Sequence, residues 1–132
     1  MIAVDTSALV AVVLGEPDAE AMLRILRGGQ AALSAANLLE AAIVVEARQG
    51  LDAGRDLRAL VAGAIDEVVA VDEAASLAAV AAWRRFGKGR HPAGLNFGDC
   101  FAYTLATTRD VPLLYKGDDF AQTDVRAAGS AS

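Results

Sequence analysis

Short apolar runs and longer helical patterns alternate along the chain. The apolar runs at 1–5, 31–35, 67–71 and 111–117 are short and lie beside turn-forming residues, so they predict buried strands, the last beginning at Pro112. Apolar residues at helical spacing predict helices between them, at 6–16, 17–27, 38–49, 54–65, 73–86 and 97–108. This alternation predicts a three-layer α/β/α sandwich with a short, mainly parallel central sheet, about four or five strands and about six or seven helices.

Length and composition favour one domain that folds alone. The 132 residues are 55% hydrophobic and 22% charged, which excludes extended disorder and suffices for a core. We expect the domain to cover 1–126 and the small-residue tail at 127–132 to fray. The longest uncharged stretch, at 28–39, is much shorter than the ~20 apolar residues of a membrane span, and no basic leader precedes Asp5. We therefore expect a cytoplasmic protein without a membrane partner.

The net charge of −5 argues against nucleic-acid binding by overall attraction, because phosphate binding normally depends on clustered lysine and arginine. One segment differs from the rest of the chain, since 84–91 carries four basic residues and no acid. Within it Arg85, Lys88 and Arg90 are candidate phosphate contacts, and Lys116 after the last strand is a fourth. The alternative for all of them is a solvated side chain at the end of a helix or strand.

Acidic residues follow the predicted strands and begin the predicted helices. The carboxyl ends of parallel strands meet at one edge of a sheet, where functional groups gather. The carboxylates expected at this edge are Asp5, Glu40, Asp99, Asp118 and Asp119. We expect Asn37 to cap the third helix, which would put Glu40, like Asp99, in a first turn where the helix dipole favours the anion.

Several carboxylates in one cleft repel one another, and a hard divalent cation relieves that repulsion. Oxygen ligands favour Mg²⁺, with Mn²⁺ as a substitute. A zinc site is not expected, because His91 and Cys100 are the only histidine and cysteine. Such a centre suits hydrolysis of a phosphodiester by water. Thr6 and Ser7, next to Asp5, have hydroxyl groups that can orient a ligand or a bound water.

Four stretches in this order resemble one family from end to end: "MIAVDTSAL", "NLLEA", "HPAGLNFGDCFAYTLA" and "PLLYKGDDFAQTDV". They are similar to the PIN-domain ribonucleases, and specifically to the VapC toxins of VapBC toxin–antitoxin pairs. The resemblance implies a Mg²⁺-dependent endoribonuclease that cuts tRNA or ribosomal RNA, inhibits translation and growth, forms a homodimer and is silenced by a VapB-type antitoxin.

Carried over to this sequence, the acidic site of the family falls on Asp5, Glu40 and Asp99. The fourth acid of many PIN domains lies nearer the position of Gly117, so Asp118 is the candidate here. The remaining motif positions have supporting rather than catalytic roles, and they are Thr6, Ser7, Asn96 and Asp119, the last of which is also suited to capping a turn.

Two other functions fit parts of the pattern. A phospho-receiver domain would use Asp5, Asp72 and Lys116, but it leaves Glu40 and Asp99 unexplained. An inactive PIN fold that serves as a binding module is the second alternative, and the presence of all the acids argues against it.

Overall fold

Strands and helices alternate through the part of the chain that the computed structural model describes, residues 1–129. The strands are β1 (Ile2–Val4), β2 (Ala31–Ser34), β3 (Glu67–Val69) and β4 (Leu113–Leu114). The helices are α1 (Thr6–Val13), α2 (Ala19–Arg27), α3 (Ala35–Ala64), α4 (Glu73–Phe86) and α5 (Phe97–Thr108), followed by a 3₁₀ turn at Phe120–Gln122. The predicted α/β class and the alternation of elements are confirmed.

The central sheet is parallel throughout and has the strand order β3-β2-β1-β4. Val4 at the end of β1 is paired with Leu33 in β2 and with Leu114 in β4. The carboxyl ends of these three strands are therefore level. Asp5, which follows β1, lies at that edge with α1 beginning directly after it.

Both faces of the sheet are covered by helices, which gives the three predicted layers. Side chains that alternate along a strand point to opposite faces, so Val4 and Leu33 pack with buried residues of α1, α2 and α3. Ala3 and Leu113 pack with buried residues of α4 and α5 on the other face. Many buried positions are alanines, which let the helices approach the short strands closely.

Helix α3 differs from the prediction at its start. It begins at Ala35, and Ser34 is its N-cap, with the Ser34 hydroxyl accepting a hydrogen bond from the backbone N–H of Ala36. The prediction that Asn37 caps the helix is wrong, and Asn37 instead lies inside it, fully buried. Glu40 consequently falls in the second turn, beyond the strongest effect of the helix dipole.

The two helices predicted at 38–49 and 54–65 are the two segments of α3, which meet at a kink at Gly50. Gly50 has φ 82° and ψ −169°, a backbone conformation that is essentially restricted to glycine. The glycine therefore ends one helical segment and permits the next to begin without an intervening loop.

The C-terminal residues pack closer than the predicted frayed tail. The backbone N–H of Leu113 donates to the carbonyl of Arg126 at 2.8 Å, and that of Ala128 donates to the carbonyl of Leu113 at 2.9 Å. Ala127 forms a parallel bridge with Leu113. The edge of β4 is thus covered, and the remainder of the predicted tail, 130–132, lies outside the described residues.

Within residues 1–129, none of the helices combines the length and the apolar character that a membrane crossing requires.

Candidate active site

Asp5 is a buried carboxylate at the carboxyl edge of the sheet, with only 3% of its surface exposed. It is also the N-cap of α1, because its Oδ2 accepts hydrogen bonds from the backbone N–H of Ser7 at 3.0 Å and from the Ser7 hydroxyl at 2.6 Å. Its other oxygen, Oδ1, is buried and has no hydrogen-bond partner in the part of the chain that is described. Burial raises the pKa of Asp5 to about 7, with smaller contributions from the charges of Asp99 and Glu40.

Asp99 reaches the same edge from the first turn of α5. Asn96 and Asp99 form a capping box: the N–H of Asp99 donates to Asn96 Oδ1 at 2.9 Å, and the N–H of Asn96 donates to Asp99 Oδ2 at 3.0 Å. Burial, with smaller contributions from the charges of Asp119 and Glu40, raises the pKa of Asp99 to about 6. The capping box thus partly compensates a carboxylate that its surroundings disfavour.

Glu40 lies against the start of α5, where a hydroxyl group binds its carboxylate and a glycine leaves room for it. The Thr6 hydroxyl donates a hydrogen bond of 2.5 Å to Glu40 Oε1, which links α1 to α3. Across from it, a Cβ atom added at Gly98 would collide with both carboxylate oxygens of Glu40. The space that this carboxylate occupies therefore exists only because residue 98 is a glycine.

A hydrogen-bond path ties the end of β4 to Asp5. The backbone N–H of Lys116 donates to the Ser7 hydroxyl at 2.9 Å, and that hydroxyl donates to Asp5. Two of the predicted supporting residues, Thr6 and Ser7, therefore each orient one carboxylate, Glu40 and Asp5 respectively.

The two acids after β4 are both exposed. Asp119 lies close enough to Asp99 to raise its pKa, whereas Asp118 is not among the groups that act on it. The structure thus brings Asp119, which the sequence analysis placed second, nearer to Asp99. The choice of Asp118 as a catalytic acid stays a prediction.

The charges of Asp99 and Glu40 act on Asp5, and the charge of Glu40 acts on Asp99. Within residues 1–129, no three histidine, cysteine, aspartate or glutamate side chains are placed so that they could hold a metal together. The site is thus a cluster of acids at one edge, with Asp5 and Asp99 carrying raised pKa values and Glu40 bonded to Thr6.

The four candidate phosphate contacts lie in different surroundings. Lys116 forms ion pairs with Glu16 at 2.5 Å and Asp18 at 3.1 Å, and these hydrogen bonds raise its pKa. Arg85 is paired with Asp124 at 3.2 Å. Both cations are therefore partly neutralised by acids of this chain.

Arg90 and Lys88 belong to a loop closed by two backbone hydrogen bonds of 2.9 Å, from the N–H of Lys88 to the carbonyl of Leu95 and from the N–H of Leu95 to the carbonyl of Phe86. The Arg90 guanidinium lies 4.8 Å from the centre of the Trp83 ring. Lys88 has no ion pair in the described residues and lines a cavity of about 640 Å³ together with Asn96, so it lies on the side of the molecule where α5 begins.

A comparison with protein-family models matches residues 2–126 to the PIN domain. The chain belongs to the PIN-domain family. This PIN domain is 50% identical over 129 residues to "Ribonuclease VapC" of Mycolicibacterium smegmatis, and the alignment covers 94% of this chain and 97% of the relative. It is 49% identical over 123 residues to "Ribonuclease VapC30" of Mycobacterium tuberculosis, which covers 92% and 94% respectively.

Solved structures agree on the fold of this PIN domain. The crystal structure of VapC20 of Mycobacterium tuberculosis, described as a Sarcin-Ricin loop cleaving toxin, superimposes with a TM-score of 0.77 at 17% identity, covering 95% of this chain and 96% of that chain. A toxin–antitoxin complex from Klebsiella pneumoniae gives a TM-score of 0.69 at 17% identity, covering 94% and 93%.

Two residues that organise the site of this PIN domain were not identified from the sequence. Asn37 donates through Nδ2 to the Thr6 hydroxyl at 3.1 Å and to the carbonyl of Gly98 at 3.0 Å. A signal for it exists, because Asn37, Ala41 and Val45 recur at helical spacing and form one buried face of α3. Gly98 has no comparable signal, since its role depends on a side chain distant in the sequence.

Proposed function

We propose that this protein is a Mg²⁺-dependent endoribonuclease toxin of a type II toxin–antitoxin pair. It hydrolyses phosphodiester bonds of cellular RNA in the cytoplasm, with tRNA or ribosomal RNA as the substrate, and thereby inhibits translation and growth. The observation that carries the proposal is that Asp5 and Asp99, two carboxylates with raised pKa values, lie at one edge of the sheet. The chain that carries them is 50% identical to a VapC ribonuclease.

The donor set fits magnesium. Mg²⁺ prefers oxygen ligands, keeps several waters and is commonly held by only one or two carboxylates. Asp5 and Asp99 would hold it, since Asp5 Oδ1 is buried without a partner in the described residues and burial disfavours the ionised form of both acids. A bound cation lowers the pKa of water and screens the charge that develops on a phosphate.

The residues of this chain then fix the geometry of the two carboxylates. Ser7 fixes the Asp5 oxygen Oδ2, which leaves Oδ1, without a hydrogen-bond partner in the described residues, as the oxygen that would contact the ion. Asn96 fixes Asp99 Oδ2 in the same way. Glu40, restrained by Thr6, keeps one carboxylate oxygen free of that hydrogen bond and available to orient a water molecule beside the two aspartates.

Of the four candidate phosphate contacts, Lys88 and Arg90 are the two without an acidic partner in the described residues, so they are the two expected to contact RNA phosphates. Lys116 and Arg85, which are ion-paired, would contribute only if RNA displaced their partners. An acidic chain that depends on few cations should bind RNA weakly and with a modest dependence on salt.

The cleavage test uses purified protein, total RNA and Mg²⁺, with EDTA in a parallel sample and Mn²⁺ in another. We expect cutting with either metal and none with EDTA. Asp5→Asn and Asp99→Asn should each lower the rate by about a hundredfold or more, at least the upper end of what losing a residue behind a metal ligand costs. Asp56→Asn, which changes an exposed acid on α3, is the matched control. Cutting that persists in both site variants would refute the proposal.

The same assay addresses the alternatives. A wild type that binds RNA without cutting it would be the inactive binding module. The phospho-receiver has little structural support, because Asp72 caps α4 by accepting from Ala75 at 2.8 Å and follows β3, which β2 separates from Asp5.

The partners of the proposed toxin are a VapB-type antitoxin and a second copy of the chain. The Klebsiella neighbour is a toxin–antitoxin complex, and the relatives carry the VapC name. Co-expression with the small protein encoded beside this gene, left untagged, tests the antitoxin. We expect the two proteins to co-purify, and a failure to co-purify would argue against this partner.

A second copy is proposed because α3 and α5 expose neighbouring apolar side chains. Leu39, Ile43 and Phe97 are 62%, 60% and 82% exposed, and with Phe101 they line a depression of about 250 Å³. We call these four residues the α3–α5 face. Exposed apolar patches of this kind mark protein interfaces, and this one borders Glu40.

A further inference from the structure

Asn37 connects the three segments that carry the acids of the site. It is fully buried in the first turn of α3. Among the described residues, its Nδ2 donates hydrogen bonds to the Thr6 hydroxyl and to the Gly98 carbonyl. Thr6 follows Asp5 directly, and Gly98 precedes Asp99 directly. One side-chain amide thus fixes α1, α3 and α5 relative to one another at the position of the acids.

The orientation of the Asn37 amide is determined by its surroundings. A backbone carbonyl can only accept a hydrogen bond, so the group that faces Gly98 must be the NH₂. The second hydrogen of that NH₂ then points to the Thr6 hydroxyl. The amide oxygen, Oδ1, is left buried and without a partner in the described residues.

This orientation also determines where the Thr6 proton goes. Because Thr6 Oγ1 accepts from Asn37, its single hydrogen is directed to another acceptor, and the closest is Glu40 Oε1 at 2.5 Å rather than the Asn37 carbonyl at 3.3 Å. The donors therefore run in one direction, from Asn37 to Thr6 to Glu40.

We propose that Asn37 is a positioning residue of the metal-dependent site, which holds the Glu40 carboxylate in place through the Thr6 hydroxyl and holds the start of α5 through the Gly98 carbonyl. It touches neither substrate nor metal. The inference depends on the proposed function, because it concerns Glu40, which would orient a water molecule of the cation, and the start of α5, which carries Asp99.

A purely structural role makes a different prediction from a positioning role. Asn37→Leu has a similar volume and removes a buried oxygen that has no partner among the described residues, so folding should tolerate it. The Gly98 carbonyl keeps its place in the helical hydrogen bonds of α5. What the leucine cannot do is direct the Thr6 proton, so the loss should appear in metal binding rather than in the melting temperature.

The experiment measures Mn²⁺ binding to the full chain by calorimetry, with thermal unfolding recorded for every variant. We expect Asn37→Leu and Thr6→Val each to weaken Mn²⁺ binding by about tenfold, the order that losing a group outside the ligand shell costs, because each releases the Glu40 carboxylate that would orient a water molecule of the ion. The double variant should be no more than about twofold weaker than either single one, because both substitutions interrupt the same path. Thr6→Ser keeps the hydroxyl and should restore binding to within about twofold of the wild type.

Thr104→Val is the matched control, because Thr104 is also a buried polar residue whose hydroxyl lacks a partner in the described residues, and it lies further along α5. It should leave Mn²⁺ binding unchanged. Wild-type affinity in Asn37→Leu, an equal loss in Thr104→Val, or effects of Asn37→Leu and Thr6→Val that multiply would each overturn the inference.

Two further outcomes are informative. If Asn37→Leu does not fold, Asn37→Ser, whose hydroxyl is too short to reach both partners, is measured against the same expectation. If the wild type binds no Mn²⁺ at all, the proposed function is overturned together with this inference. If both the wild type and Asn37→Leu bind Mn²⁺ and cut RNA normally, only the inference is overturned.

Discussion

Burial shifts the equilibrium of the Asp5 side chain towards its neutral form. Its pKa is about 7 in the folded protein against 3.8 for an ordinary aspartate, mainly because of burial. The folded state therefore binds a proton more tightly than the unfolded chain does. The associated stability is fully present below about pH 4 and is lost as the pH rises towards about 7.

We predict that Asp5→Asn stabilises the metal-free protein at pH 8. The amide keeps an oxygen that can accept from Ser7 but carries no charge to be buried. In EDTA its melting temperature at pH 8 should exceed that of the wild type by roughly 3 °C or more, which corresponds to about 1 kcal/mol in a domain of this size. At pH 4 the difference should largely vanish, and Asp56→Asn should show no such trend. A lower melting temperature of Asp5→Asn at pH 8 would contradict the argument.

Gly98→Ala tests the fit between α5 and Glu40. Alanine normally stabilises a helix relative to glycine by up to about 1 kcal/mol, but here its Cβ would meet the Glu40 carboxylate. We predict that Gly98→Ala lowers both the melting temperature and the cleavage rate. In a Glu40→Ala background, where the obstacle is gone, the same substitution should raise the melting temperature. Equal effects in the two backgrounds would show that the contact is unimportant.

Sequence patterns located the acids of the site better than they located the residues that hold them. Asp5 was predictable because an acid directly after an apolar strand must lie at the sheet edge. Asn37 was misassigned because an asparagine near a helix start is equally typical of a cap. Only the register of α3 against the sheet, which depends on contacts distant in sequence, places it inside.

At the level of elements, helical spacing predicted the helices well but not which of their sides is buried. In α4, Leu77 and Trp83 are 64% and 43% exposed, while Ala79 and Ala82 pack inside. Ala79 and Ala82 belong to the same buried cluster as Ala102 and Ala106 of α5, so small residues face the core there and larger ones face outwards. A spacing rule that expects large residues inside cannot detect this.

The change of direction in α3 depends on the backbone conformation of Gly50, which a substitution can test. Its φ of 82° and ψ of −169° are strained for any residue with a Cβ. We predict that Gly50→Ala lowers the free energy of unfolding by about 1–3 kcal/mol, whereas Gly54→Ala, four residues on and inside the helix, raises it by up to about 1 kcal/mol. Urea unfolding measures both.

The cleavage rate of folded Gly50→Ala should equal that of the wild type, because Gly50 lies beyond the part of α3 that carries Glu40. If Gly50→Ala were as stable as Gly54→Ala, the change of direction in α3 would not depend on glycine.

At the scale of the whole molecule, the alternation of strands and helices was sufficient to predict the layers, because parallel strands require crossover helices on both faces. The strand order β3-β2-β1-β4 was not predictable from the pattern alone. It depends on which helix packs on which face, and several arrangements satisfy the same alternation. The pairing of Ala127 and Ala128 with β4 was not predictable for a similar reason, since these small residues follow no strand pattern in the sequence.

The α3–α5 face gives the last prediction. Phe97 and Phe101 stack edge to face with their ring centres 5.0 Å apart, so Phe97, 82% exposed, is held in place on the surface rather than folded into the core. Burying it with Leu39 and Ile43 against a second copy would stabilise the pair by roughly 1.5–3 kcal/mol for each side chain fully covered. A charge at its centre would instead have to be desolvated without a partner. We predict that the wild type is a dimer of the 13.6 kDa chain at micromolar concentration. Phe97→Glu should be a folded monomer. Light scattering after size exclusion measures both molecular masses. Leu51→Glu is the matched control, because Leu51 is 68% exposed on α3 but lies outside this face, and it should remain dimeric. A monomeric wild type, or dissociation caused equally by both substitutions, would mean that the exposed aromatic residue serves another partner.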